Sequence, residues 1–275
     1  MGCYFFFFYM SYPIFLGGKG SRLWELGLLH RNVTHCHCSE GNVVHPNSCI
    51  ASPVFAAAPA PIGICYGRLA NNRPSTAVNL LKSNGITTVR LFNTDLDTLT
   101  SFSGTDISLM IGVPNELLPF LATTTIDPSL QWLQSNIFSN ISPTQIKYIV
   151  VGNEILLKDL FYTPYLVPAM NNLYIALQTL GLSDTIKLST SHAASVLMNS
   201  YPPSASSFDP NHQSIMGPLL QFLKDTGSPL MVNVYPFFSF TNNPQFVSLD
   251  CVHVMVNGKV HVETSMVRFA IDGQW

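Results

Sequence analysis

Ile146-Lys147-Tyr148-Ile149-Val150-Val151-Gly152-Asn153-Glu154 is a short apolar run that ends in a glycine, an amide and a carboxylate. The run is too short for a packed helix and reads as a strand buried on both faces, as in a parallel sheet. Runs of the same kind recur on either side of it, at Ile62–Tyr66, Thr88–Phe92, Ser108–Val113, Ile186–Thr190 and Pro229–Tyr235. Between them, apolar residues three or four apart predict helices over Pro74–Asn84, Ser129–Ile137, Leu166–Leu180 and Ser214–Thr226. Six strands alternating with helices make an α/β chain, leaving an open doubly wound sheet or a (β/α)8 barrel of the TIM type. Neither G-x-G-x-x-G nor G-x-x-x-x-G-K-[ST] occurs, so the nucleotide-binding open sheet loses its main support and the barrel is favoured.

The chain has 275 residues, of which 47% are apolar and 10% charged, with a formal charge of −2. That composition supplies a large core and excludes disorder as a whole. No cluster of Lys and Arg stands ready for phosphates, so nucleic acid is excluded as a partner. No apolar run reaches the 18 or so residues of a spanning helix, and the chain does not read as integral to a membrane.

Three unlike parts are expected: an irregular or signal-like leader over 1–61, a barrel over 62–250 and an atypical tail over 251–275. The apolar start, Met1 to Leu16, lacks the basic flank and the small-residue cleavage site of a secretion signal. Gly2 opens a myristoylation pattern that Phe6 breaks. His35-Cys36-His37-Cys38 invites a zinc reading, but Cys36 and Cys38 are one residue apart and would point oppositely on an extended chain. Ala51–Ala60 resembles the end of a secretory signal, and Asn32 and Asn140 head glycosylation sequons. In the tail, Asn257-Gly258 between alternating runs signals a hairpin, foreign to a βα pattern. The barrel is therefore expected to be incomplete, with about six βα units, strands 7 and 8 missing and exposed parallel edges.

Barrel chemistry sits at the C-terminal ends of the strands. Of the carboxylates, Glu154 and Asp95 follow strands directly, and Glu154 is the stronger candidate. Partial burial is expected to raise its pKa and suit it to general acid catalysis; the plainer alternative is a carboxylate that merely starts a helix. Tyr66, Phe92, Tyr235, Phe237 and Phe238 gather at strand ends, where they line a neutral cleft suited to sugar rings or simply pack the core. Cys65 reads as a small buried residue, and His192 and His212 as structural or surface groups.

Five motifs in order, Ile62-Gly63-Ile64-Cys65-Tyr66-Gly67, Val89–Phe92, Val150–Glu154, Leu188–Ser191 and Asn233–Phe238, carry a resemblance to plant glycoside hydrolase family 17 over about residues 62–250. The resemblance implies a glucan endo-1,3-β-glucosidase, a secreted enzyme of the extracellular space or cell wall. Such an enzyme cleaves β-1,3-glucan, or mixed β-1,3/1,4-glucan, internally and with retention of configuration. It maps the general acid/base onto Glu154, with Asn153, Tyr66, Phe92, Tyr235 and Phe237 binding substrate. Phe92 stands where the family often has Tyr. No metal or organic cofactor is implied, the partner is β-1,3-glucan, and a monomer is expected.

One departure is large. The family's nucleophile belongs to a Ser-Glu-[Ser/Thr]-Gly-Trp-Pro-type motif that does not occur here, and Val262-Glu263-Thr264 is only a chance likeness. Retaining hydrolysis needs two carboxyl groups about 5–5.5 Å apart, and loss of one removes several orders of magnitude of rate. A non-catalytic β-glucan-binding form and an inactive truncated product therefore stand beside the hydrolase reading.

Overall fold

A computed structural model of the chain describes residues 6–9, 63–68, 73–199 and 207–235, with two isolated positions, 242 and 245. The zinc-like cluster, the Ala51–Ala60 stretch, the Asn32 sequon, the Asn257-Gly258 hairpin and the tail lie outside the described residues.

In chain order the described elements are β1 (Phe6–Tyr9), β2 (Ile64–Tyr66), α1 (Pro74–Ser83), β3 (Thr88–Leu91), α2 (Leu96–Phe102), β4 (Ser108–Val113), α3 (Leu118–Leu121), α4 (Asp127–Leu133) and β5 (Ile146–Asn153). There follow α5 (Ile155–Lys158), α6 (Thr163–Thr179), β6 (Lys187–Ala193), β7 (Leu197–Asn199), β8 (Ser207–Phe208), α7 (Gln213–Thr226) and β9 (Met231–Val234). All six expected strands are present, and β2-β3-β4-β5-β6-β9 form one parallel sheet in chain order. Pairing runs from Ile64 opposite Val89 to Ala193 opposite Asn233. Such in-order parallel pairing with helical crossovers is the local rule of a βα barrel.

Strand parity sorts the side chains into two sets. Val89, Leu91, Leu109, Ile111, Ile149, Val151, Leu188 and Val232 belong to the large core shared with the helices. The alternate positions Met110, Val150 and Met231, with Tyr148 against them, form a separate inner cluster. A period of two explains the division, since neighbours on a strand face opposite sides. The helices answer with their own period: α6 buries Leu166, Ala169, Met170, Leu173, Ala176 and Leu177, and α7 buries Met216, Leu219, Phe222 and Leu223. Each fully buried Leu or Met adds roughly 1.5–3 kcal/mol.

Three features depart from the sequence expectation. The helix expected over Ser129–Ile137 begins at Asp127 and widens after Leu133 into a π-helical turn over Gln134–Phe138. The short helix α2 leaves no mark in the periodicity; it starts because the Asp95 carboxylate accepts the Thr98 amide at 3.0 Å. The edge of β9, expected to be open, is paired in parallel with β1, Phe6 opposite Met231 and Tyr9 opposite Val234. β7 and β8 make a small antiparallel pair of their own. No helix among the described residues is long and apolar enough to cross a membrane.

His192, on the outer parity of β6, is buried, and neither ring nitrogen has a hydrogen-bond partner. Burial first, and the charge of His212 second, lower its pKa from 6.5 to about 4. The folded state thus favours the neutral ring, so its stability is complete above pH 6.5 and falls as pH drops toward 4. We expect this group to remove on the order of 3 kcal/mol at low pH. Urea unfolding at pH 7 and pH 4.5 should show a much smaller acid loss in His192→Leu than in the wild type; equal losses would assign the acid lability elsewhere.

Candidate active site

The site is built where β5 ends. Gly152 has φ +72°, and a Cβ there would lie 2.4 Å from the Ile155 Cδ1 atom and 3.1 Å from the Asn115 Oδ1 atom. Only glycine suits both the backbone and the space. Two residues later Glu154 takes φ 52° and ψ 34°, the one non-glycine in the left-handed region among the described residues. Such a conformation costs about 1–3 kcal/mol and persists only when neighbours hold it. The neighbours are on hand: the Glu154 amide donates to the Ser191 carbonyl at 2.7 Å. The Asn153 amide donates to the Asn115 Oδ1 atom at 2.8 Å, and the Asn115 Nδ2 group donates to the Asn153 carbonyl and, at 2.6 Å, to the Asp159 carboxylate.

Glu154 precedes α5, yet its side chain makes no capping bond. Glu154 does stand at a helix start, as the plainer alternative had it, but its carboxylate does not cap that helix. The carboxylate turns instead into a polar network at the C-terminal end of the barrel. Its Oε1 atom accepts from Asn233 Nδ2 at 2.8 Å and from the Tyr235 hydroxyl at 2.9 Å, and its Oε2 atom accepts from Lys158 Nζ at 2.6 Å. Asn233 also donates to Asn153 Oδ1 at 3.0 Å and accepts from Arg90 Nη1 and the Ser191 hydroxyl, both at 2.8 Å. Arg90 Nη2 donates to Asn153 Oδ1 at 2.8 Å, and the guanidinium carbon stands 4.8 Å from the Phe92 ring centroid.

The electrostatics correct one expectation. Burial does raise the Glu154 pKa, but hydrogen bonds from Lys158, Asn233 and Tyr235 and the Lys158 charge together outweigh it, and the net direction is down. Three donors on a carboxylate that is 2% exposed stabilise the anion more than its burial destabilises it. Tyr235 responds in the opposite sense, pushed up to about 12 by burial and by its bond to the Glu154 carboxylate. Burial likewise lowers the Arg90 pKa and raises that of the Cys65 thiol.

Of the residues expected at the site, the network joins Glu154, Asn153 and Tyr235, with Phe92 stacked on Arg90. Tyr66 is not brought there. Its strand parity turns the ring outward, edge-on to Phe102 of α2 at 5.9 Å, with its hydroxyl buried and without a hydrogen-bond partner. Phe237 lies outside the described residues. Asp95 is accounted for as the α2 cap and the partner of Arg68. Cys65 is a free thiol, and no cluster of metal-ligating side chains occurs among the described residues. The sequence reading missed Arg90, Asn233, Ser191 and Lys158 as site residues. Arg90, Asn233 and Ser191 stand inside the quoted motifs, and Lys158 follows Glu154 at the four-residue spacing of a helical ion pair.

The sequence profile named Glycosyl hydrolases family 17 matches residues 62–267. A glucan endo-1,3-beta-glucosidase of Vitis vinifera is 41% identical over 203 residues, covering 72% of this chain and 59% of that protein. Glucan endo-1,3-beta-glucosidase 11 of Arabidopsis thaliana is 41% identical over 196 residues, 70% of this chain and 45% of that protein. The chain thus spans about half the length of the curated relatives it matches. Among solved structures, CJP38, a beta-1,3-glucanase and allergen of Cryptomeria japonica pollen, superposes with a TM-score of 0.68 at 34% identity, covering 78% of this chain and 71% of that one. One of two plant beta-glucan endohydrolases with distinct substrate specificities superposes with a TM-score of 0.62 at 38% identity, over 68% of this chain and 60% of that one.

The Gly152 turn is open to a controlled test against Gly104, which has φ +69° but where an added Cβ would meet nothing within 4 Å. Gly104→Ala should cost only the left-handed strain, about 1–2 kcal/mol. Gly152→Ala should cost a further 1–3 kcal/mol or so from overpacking. Denaturant midpoints of the two variants check this, and equal costs would mean that Ile155 gives way freely.

Proposed function

The chain belongs to glycosyl hydrolase family 17, and on that premise we propose that it acts on β-1,3-glucan as an endo-acting retaining glycosidase with Glu154 as general acid/base. The observation that carries this reading is the buried Glu154 carboxylate, held in a strained backbone at a strand end by Asn233 and Tyr235 beside Asn153. In the first step Glu154 would protonate the leaving glycosidic oxygen while a second carboxylate attacks the anomeric carbon; in the second it would deprotonate the incoming water. Asn153, Phe92 and Tyr235 would line the sugar subsite. Phe237 belongs to the same proposed subsite.

A second reading is glucan binding without turnover, favoured by the donors that hold the Glu154 carboxylate ionised rather than ready to give a proton. The division into a leader over 1–61, a barrel over 62–250 and a tail over 251–275 is part of the proposal, as are a monomeric state and a secreted, extracellular or cell-wall location.

Titration calorimetry with a β-1,3-oligosaccharide, paired with a reducing-end assay on β-1,3-glucan, separates the readings. Binding with turnover supports the hydrolase, and binding alone supports the second reading. Where turnover is seen, Glu154→Gln should lower kcat by about 10²–10⁴-fold; unchanged kcat would remove Glu154 from the mechanism, and no binding at all would sink both readings.

A further inference from the structure

The two oxygens of Glu154 are held differently. Oε1 is filled by two donors from the β9 end, Asn233 Nδ2 and the Tyr235 hydroxyl, and Asn233 is itself locked by Arg90 and Ser191. Oε2 is held by Lys158 Nζ from α5 at 2.6 Å. The Lys158 side chain is 62% exposed, whereas the Glu154 side chain is 2% exposed. Moving Oε1 away from its partners would break a buried network, while freeing Oε2 only requires a long, solvated side chain to swing outward.

A general acid must present a proton on an oxygen that can reach the leaving group. Oε1 has no room for one, because both of its acceptor positions are filled by donors. Oε2 receives one donor, Lys158 Nζ, and keeps a second acceptor position, but a proton there is disfavoured while the ammonium group is in contact. We propose that Lys158 is a displaceable latch on Glu154: while seated it keeps the carboxylate ionised and disfavours a proton on Oε2, and a saccharide entering beside Asn153 pushes it away, so that Oε2 takes a proton from solvent and faces the glycosidic oxygen. The latch rests on the acid/base reading of Glu154 and makes Lys158 a positioning residue that acts through Glu154.

Several other groups face the carboxylate and stay in place when the latch opens. Tyr235 and Asn233 come from the β9 end, and Arg90 of β3 lies behind the two Asn side chains. Cys65 of β2 is near Arg90 and Tyr235. Arg90 and Tyr235 act on Glu154 in both latch positions, so the change on opening is that of Lys158 alone.

Carboxyl-carbon NMR titration reads the latch without requiring catalysis, with Glu154→Gln identifying the resonance. In Lys158→Met the Glu154 midpoint should rise by about one pH unit, the usual effect of removing an opposite charge in contact. Lys158→Arg should restore the wild-type midpoint, and Lys158→Gln should repeat the rise should Lys158→Met fail to melt cooperatively. A saturating β-1,3-oligosaccharide should raise the wild-type midpoint in the same sense and leave that of Lys158→Met nearly where it was. Superimposable titrations of wild type, Lys158→Met and Lys158→Gln would overturn the latch, as would saccharide binding that leaves the wild-type midpoint unmoved. Absence of saccharide binding would count against the glucan reading, while the comparison of wild type with Lys158→Met would still decide whether Lys158 controls Oε2.

Discussion

Asn233 is the hub on which the site depends. Its Oδ1 atom accepts from Arg90 and Ser191, and its Nδ2 group donates to Asn153 and Glu154. A side-chain amide has two acceptor positions and two donors, and here all four are used. Because Arg90 can only donate and the ionised carboxylate can only accept, the oxygen must face Arg90 and the NH2 must face Glu154, and the Ser191 hydroxyl then donates to the same oxygen. Four strands, β3, β5, β6 and β9, are tied together by one buried side chain. A network of this kind specifies a single arrangement because any partly satisfied alternative leaves polar groups stranded in a low dielectric.

The same network decides the charge on Glu154. A carboxylate buried alone would be held neutral, whereas one that receives three donors, one of them an ammonium, is held ionised. Arg90 provides the opposite charge deeper in the barrel, 2% exposed and still cationic because guanidinium does not give up its proton in proteins. The inner surface of the sheet is thus layered. Met110, Val150 and Met231 pack apolar contacts below, and a hydrogen-bonded polar tier stands above them at the strand ends. The apolar tier fills space and the polar tier sets chemistry, and strand parity keeps both separate from the helix-facing core.

Much of the fold was legible in the sequence because the relevant signals are local. Apolar runs such as Ile146–Val151 and Ser108–Val113 announce buried strands, and the spacing of Leu166, Met170, Leu173 and Leu177 announces α6. Glu154 was legible because it directly follows such a run. Tyr66 was misplaced for a reason of parity: the strand end was recognised, but one residue decides which face a side chain takes, and Cys65 rather than Tyr66 has the inward position near Arg90. The strand at Phe6–Tyr9 was missed because its partner, Met231–Val234, lies at the other end of the chain, and pairing across such a distance leaves no local mark.

By itself the sequence determined the alternation of strands and helices, the glycine that permits the turn at residue 152, and the carboxylate that follows it. Those are properties of neighbouring residues, set by periodicity and by which backbone angles a residue tolerates. Only the tertiary structure decided that Arg90 and Asn233, 143 positions apart, would meet, and that Glu154 would consequently be ionised rather than neutral. The sign of a pKa shift is the balance of burial against hydrogen bonds. Burial can be guessed from a run of apolar letters, but the donors come from distant strands and exist only once the sheet has brought them together.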